Sequence, residues 1–265
     1  VPMSLAALVN RYRYSPQALG FLGNFNLSEL AWCLIVTAGL RVESRLTWLD
    51  CGLVVVIVWT AMLVMQLVGD GKLALATTVA EALPYYRKDA GGAATIHHLL
   101  SHTSGIPSYT SLPDFRSKLA RNPYGTKEFV TSFCSGELEF APGTQWRYSN
   151  SGYFILGAVI EQVTGKPYEQ VLRERILDPL GMRDTGYDRW ETVLPKRATG
   201  YERTGRSYRT ASYLDMSVPG AAGALYSTVE DLARWDRALY GDTLLPAALK
   251  RTMFTPVRDG SAYGW

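Results

Sequence analysis

The chain has 265 residues, 47% of them apolar and 19% charged, enough to bury a sizeable core and too apolar for wholesale disorder. Its 27 Lys and Arg against 24 Asp and Glu leave a net charge of +3. These charges are interspersed, so nothing pulls the chain toward nucleic acid or an anionic membrane. Three cysteines, Cys33, Cys51 and Cys134, form no Cys-x-x-Cys. That excludes a zinc ribbon or thioredoxin-like motif and leaves room for a single bridge, not a disulfide framework.

Residues 1 to about 50 mix apolar runs such as Leu30–Val36 with scattered arginines and sustain no period. The chain starts at Val1 with no basic segment leading into an apolar core, so no signal peptide is read. Residues 53 to 68 are the most apolar stretch. Three readings compete for them: a short transmembrane helix, at the lower limit of about 17 residues for spanning; a buried strand running into a helix; or a segment with no evolved structure. The second is adopted, because Val54 to Val58 are all β-branched and Met62 to Leu67 favour helix.

From Gly69 the sequence reads as an ordinary globular domain. Gly69 to Lys72 ends the helix, and Leu73 to Pro84 is a connector. Thr95 caps a short helix through Leu100, and Thr126 caps one through Phe133. Pro142-Gly143 is a turn. Ser151 to Thr164 is a helix, apolar nearly all round and therefore buried, stopped by Gly165. Pro167 opens the next helix, which should end before Pro179. Residues 183 to 215 are polar, with short strands. Gly220 to Gly223 is a bend. Ser227 to Glu230 is a capping box for a helix through Tyr240 with Leu232, Trp235 and Leu239 on one face. Pro246 opens a last helix to Phe254. Tyr263-Gly264-Trp265 follows with no turn or polar tail and reads as a cut.

Three groups of residues invite chemistry. Tyr148 and Asn150 stand at a loop-to-helix junction, where the helix N-terminus and a nearby ammonium can lower a phenol pKa and make it a general base toward a serine hydroxyl. Asn150 would then offer its amide to a substrate carbonyl. The plain structural alternative has Tyr148 packing a core edge and Asn150 capping the helix. His97, His98 and His102 include a pair one turn apart, but no acidic third ligand stands near, and a structural histidine in a Leu-rich turn is the better reading. The Gly220–Ser227 loop fits no phosphate-binding pattern and reads as a tight bend. Gly-x-Ser-x-Gly is absent, and no serine is followed three places later by lysine.

These segments in order resemble one family. Leu99-Leu-Ser-His-Thr-Ser-Gly-Ile-Pro107 is similar to the Leu-Leu-Ser-His-Thr-Ser-Gly-Leu-Pro signature of serine hydrolases related to class C β-lactamases and penicillin-binding proteins. Ala141 to Tyr153 resembles their second active-site motif with its lead-in. Asp178 to Thr185, Gly223 to Leu232 and Tyr263-Gly-Trp265 resemble later landmarks, the last being the start of a Tyr-Gly-Tyr-Gly-Trp strand. The likeness runs from about Thr60 to Trp265.

The resemblance implies an α+β fold: an antiparallel sheet backed by helices, plus a helical lobe, with the sheet incomplete at both chain ends. It implies Ser-x-x-Lys as nucleophile and proton shuttle, Tyr-x-Asn as second motif and a third motif beyond Trp265. It also implies a small-molecule or peptide acyl substrate, a periplasmic or secreted location, and no cofactor, metal or nucleic acid. Tyr148 and Asn150 match the second motif. In the family, Ser-x-x-Lys directly precedes a segment like Phe-Thr-Ala-x-x-x-x-x-Leu-Val-x-x-Gly-Lys-Leu. Thr60 to Leu73 fits that segment, and counting back puts Val54 at the serine and Ile57 at the lysine. Neither side chain can attack a carbonyl or carry a proton. The sequence therefore divides into an unmatched segment 1–59, read as frame-altered, and a partial hydrolase domain 60–265. As given, the chain is expected to be inactive. The alternatives are a non-catalytic peptide- or peptidoglycan-binding module and, less favoured, a membrane anchor through residues 53–68.

Overall fold

The structure, a computed structural model, describes residues 48–264. Most of the unmatched segment, residues 1–47 with Cys33, lies outside them. The first element, α1 (Trp48–Gly69), is one unbroken helix of 22 residues, so the strand running into a helix is corrected. Each β-branched residue costs a helix only some tenths of a kcal/mol, while burying its side chain recovers about 1.5–3 kcal/mol. Nearly every side chain from Ile57 to Leu67 is buried, Ile57 at 2% exposure. Residues 57–67 of the apolar run are therefore interior packing, and no helix among the described residues is long and apolar enough to cross a membrane.

Two polar side chains on α1, Thr60 and Gln66, reach across to other segments. The buried Thr60 hydroxyl lies 2.7 Å from the Tyr168 hydroxyl and donates to the Ala221 carbonyl at 2.7 Å. Gln66 Nε2 donates to the Leu244 carbonyl at 3.0 Å. Trp59 meets Trp235 edge to face, with ring centroids 5.5 Å apart. α1 ends at Gly69, followed by Gly71 with φ 70°.

The connector contains one helical turn, α2 (Val79–Ala82), closed by a capping box between Thr78 and Glu81. Thr95 caps α3 (Ile96–Leu100) as the sequence indicates. α4 (Thr126–Phe133) has Gly125 at its cap, so Thr126 is the first helical residue and not the cap. α5 (Asn150–Thr164) is the centre of the core: every residue from Asn150 to Ile160 is buried, and Gly165 ends it at φ 67°. An aromatic cluster joins it to α4, with Phe129 and Phe154 centroids 4.4 Å apart and Tyr109 edge-on to Phe129 at 5.0 Å.

After Pro167 the helical run is longer than its proline suggested. α6 (Tyr168–Leu172) continues through a π-turn at Arg173–Leu177 into α7 (Asp178–Leu180), which contains Pro179. The wider π-turn is the kind of local adjustment that lets a proline enter a helical run. Residues 183–215 hold short strands: β1 (Gly186–Tyr187) pairs antiparallel with β4 (Leu225–Tyr226), and β2 (Tyr201–Thr204) with β3 (Ser207–Thr210). Among the described residues the sheet content is these two ribbons, an α+β pattern in which helices carry the core.

α8 (Val229–Tyr240) starts at Thr228, whose hydroxyl accepts from Asp231 N, so the cap sits one residue later than Ser227. Asp231 is fully buried. It accepts from Asp184 N at 2.8 Å and Thr185 Oγ1 at 2.7 Å and pairs with Arg234, tying residues 183–185 to α8. Trp235 is buried, with Leu232 and Leu239 packed beside it. Pro246 caps α9 (Ala247–Phe254). Cys134 is a buried free thiol whose pKa burial pushes up to about 12.

Candidate active site

Two stretches that look separate in the sequence are zipped together by main-chain hydrogen bonds. Glu139 N donates to the Gly105 carbonyl at 2.8 Å, Gly143 N to Thr103 at 2.8 Å and Arg147 N to His102 at 2.9 Å. The Leu99–Pro107 signature is thus the template on which the loop leading to Tyr148 is laid. Gly105 makes the close approach possible: its φ is 75°, and a Cβ there would sit 2.1 Å from the Phe140 carbonyl oxygen. Gly105→Ala is expected to cost about 2–3 kcal/mol. Gly71→Ala, also at positive φ but with nothing within 4 Å of a Cβ, should cost about 1 kcal/mol. Chemical denaturation of both variants measures the difference.

The template continues past Pro107. Ser151 Oγ donates to the Pro107 carbonyl at 2.7 Å and accepts from Tyr109 N at 2.9 Å. Asn150 N donates to Ser108 Oγ at 3.2 Å. These bonds fix the first turn of α5 against residues 107–110.

The structure brings Tyr148 and Asn150 together. The Tyr148 hydroxyl donates to Asn150 Oδ1 at 3.1 Å, and Asn150 Nδ2 donates to Thr110 Oγ1 at 3.4 Å. Ser108 and Thr110 hydroxyls lie 2.8 Å apart. Asn150 is therefore not the helix cap. Ser149 holds that position without a side-chain cap bond, and Asn150 turns its amide to the phenol. Tyr148 is half-buried, and two neighbouring tyrosines, Tyr109 and Tyr153, have pKa values raised well above the usual phenol range by burial. Ser108 and Thr110 were not singled out in the sequence. Their hydroxyls follow an irregular loop, with no period or spacing to mark them.

The histidines do not converge. His98 Nδ1 accepts from Thr95 N at 3.2 Å, closing the cap of α3. His97 Nδ1 lies 2.6 Å from the Tyr263 hydroxyl. His102 is buried, adopts φ 55°, and accepts from Ser149 N through Nδ1 at 3.2 Å. Its ring lies 4.6 Å from that of Tyr148 and 5.0 Å from that of Tyr153, with Trp146 edge-on at 6.3 Å. Burial drives its pKa down to about 3. The unfolded chain, near 6.5, takes up this proton first. The stabilisation is complete above about pH 6.5 and drains away as pH falls from there toward 3. Between pH 7 and 5 the linkage amounts to about 2 kcal/mol. His102→Asn should lose that much less stability over this interval than the parent chain, read from denaturation midpoints at both pH values.

The two positions counted for serine and lysine lie on α1. Val54 is part of this helix, and Ile57, one turn on, is in the core. Residues 263–264 pass directly over that helix: a Cβ on Gly264, at φ 77°, would stand 3.1 Å from Val58 Cα. They form a turn, not the expected strand. The buried Tyr263 donates its N–H to the Met253 carbonyl at 3.1 Å.

With this geometry in place, the likeness to known proteins is specific. The family model described as Beta-lactamase matches residues 55–264. A putative penicillin-binding protein, PbpX of Bacillus subtilis, is 29% identical over 204 residues, covering 77% of this chain and 49% of that protein. Penicillin-binding protein 4 of Amycolatopsis lactamdurans is 32% identical over 201 residues, covering 71% and 50%. The chain thus spans about half the length of these relatives. Among solved structures, a D-stereospecific amidohydrolase from Streptomyces superposes with a TM-score of 0.71 at 31% identity, over 79% of this chain and 68% of that one. By the match over residues 55–264, this chain belongs to the Beta-lactamase family of serine hydrolases.

Proposed function

We propose that this polypeptide keeps the family's second active-site motif, Tyr148 and Asn150, and has lost its acylating pair, so that it turns over no acyl substrate. The observation that carries the reading is a count along the sequence. Thr60 to Leu73 fits the segment that follows Ser-x-x-Lys, and this sets Val54 and Ile57 at the two reactive positions. The family match begins at residue 55, one place after the position counted for the serine. Ile57 is packed in the core, where an aliphatic side chain is at home.

In the family reaction, Tyr148 would take the serine proton and Asn150 would orient a carbonyl. Here the phenol donates to Asn150 Oδ1. It has no hydroxyl at position 54 to deprotonate and no ammonium at position 57 to relay the proton. Acyl transfer then has neither an attacking atom nor a leaving-group acid. The substrate class belonging to this site is a small-molecule or peptide acyl compound: a β-lactam, a D-amino acid amide or an ester. Release of nitrophenolate from a short-chain nitrophenyl ester should be the same with the purified protein and with its Tyr148→Phe variant. A Tyr148-dependent excess over buffer overturns the proposal.

A second reading is favoured by the preassembled Asn150 amide, held between Tyr148 and Thr110. The chain would then bind a peptide at this amide without cleaving it. Calorimetry with a D-Ala-D-Ala peptide decides this, absence of heat at millimolar ligand arguing against it.

A further inference from the structure

We propose that His102 is the positioning residue of Tyr148, a clamp that grips the chain on both sides of the tyrosine and holds the ring between. Its carbonyl accepts from Arg147 N at 2.9 Å, one residue before the phenol. Its imidazole Nδ1 accepts from Ser149 N at 3.2 Å, one residue after. The ring face lies 4.6 Å from the Tyr148 ring, tilted by 38°. One residue thereby fixes both flanking peptides and the aromatic plane.

This dual grip depends on the backbone. His102 stands at φ 55°, a conformation uncommon for a residue with a Cβ. That strain is retained at a place from which carbonyl and ring reach residues 147 and 149. The tautomer follows from the hydrogen bond. Because Nδ1 accepts, the neutral ring carries its proton on Nε2, which is buried and has no hydrogen-bond partner among the described residues. A polar atom left in this state is accounted for when the other nitrogen performs the task. Tyr153 completes the slot on another side, its ring 5.0 Å from the imidazole and its hydroxyl tied to the Leu100 carbonyl at 2.9 Å.

The inference rests on Tyr148 being the reactive group of the site, but its readout is independent of catalysis. Asparagine tolerates the left-handed conformation and offers Oδ1 where Nδ1 stands, whereas glycine tolerates the conformation and offers no acceptor. In the full chain, His102→Gly should raise the hydrogen-exchange rate of the Ser149 amide at least tenfold and shift the Tyr148 ring resonances, assigned with Tyr148→Phe. The Phe154 amide should stay as protected as before. His102→Asn should restore Ser149 protection. Equal Ser149 protection in His102→Gly and the parent chain overturns the clamp, as does failure of folded His102→Asn to restore it. Should the glycine variant not fold, nitrogen-15 spectra of the unaltered protein decide: Nδ1 unprotonated and Nε2 protonated from pH 5 to 8 is expected, and the opposite tautomer or a titrating ring sinks the idea. A tyrosine-dependent esterase activity would refute the proposed inertness and leave the clamp standing, while an unpinned Ser149 amide would do the reverse.

Discussion

Fluorescent penicillin is expected to leave no covalent band on this polypeptide after denaturing electrophoresis. The acyl-enzyme of the family is an ester on the Ser-x-x-Lys hydroxyl, and position 54 carries an isopropyl group. Deleting the nucleophile of a serine hydrolase lowers kcat by roughly a millionfold, and the groups around it do not compensate. Tyr148 does not substitute as the attacking atom, since its hydroxyl is engaged with Asn150. The Ser108 and Thr110 hydroxyls are engaged with each other and with Asn150. His102 does not serve them as a base, since its acceptor nitrogen is engaged by Ser149 N. A band that disappears with excess unlabelled drug, and survives boiling, would show a nucleophile elsewhere. Mass spectrometry of the labelled peptide would then locate it.

Trp59→Ala should lower stability by about 3–5 kcal/mol, or on the order of 10 °C in the melting temperature for a domain of this size. Trp59 is 2% exposed, packs edge to face on Trp235, and belongs to the stretch of α1 around which the core closes. Truncation would leave a cavity between α1 and α8 that neither helix can collapse to fill. Trp59→Phe should change stability by no more than about 1 kcal/mol, although it removes a ring. The Trp59 indole N–H is buried with no hydrogen-bond partner among the described residues. Its loss removes a polar group whose burial costs about 1–3 kcal/mol, offsetting the smaller volume. Phenylalanine also stands at this place in the family segment that Thr60 to Leu73 matches. A large loss in Trp59→Phe, equal to that of Trp59→Ala, would mean that the indole N–H is bonded after all.

What the sequence made legible was local. Thr95 as a cap, Gly165 as a stop and the all-apolar face of α5 each follow from one side chain or one period. The pairing of Tyr148 with Asn150 was legible as well, because two residues of a short motif cannot be far apart. A strand over Val54 to Val58 does not form: intrinsic preference for β structure is worth tenths of a kcal/mol per residue, and the burial of Ile57 and Val58 in the helix is worth more. The start of α8 shows the same limit on a smaller scale: Ser227 and Thr228 both fit a cap, and the choice fell to Thr228 while Ser227 joined Thr185 at 2.8 Å. His102 was read as a structural histidine, which is right as far as it goes. Its grip on residues 147 and 149 is fixed by a left-handed backbone angle and by partners far along the chain, and no periodicity records either.

The zipper between residues 102–105 and 139–147 is made of peptide groups. Amide and carbonyl are common to nearly every amino acid, so the ties specify the path of the loop without specifying its letters. Thr144 and Gln145 are exposed, and a different pair of polar residues there should leave the phenol where it is. The segment is a surface that can be rewritten, for solubility or for a reporter group, while the geometry beneath it holds still.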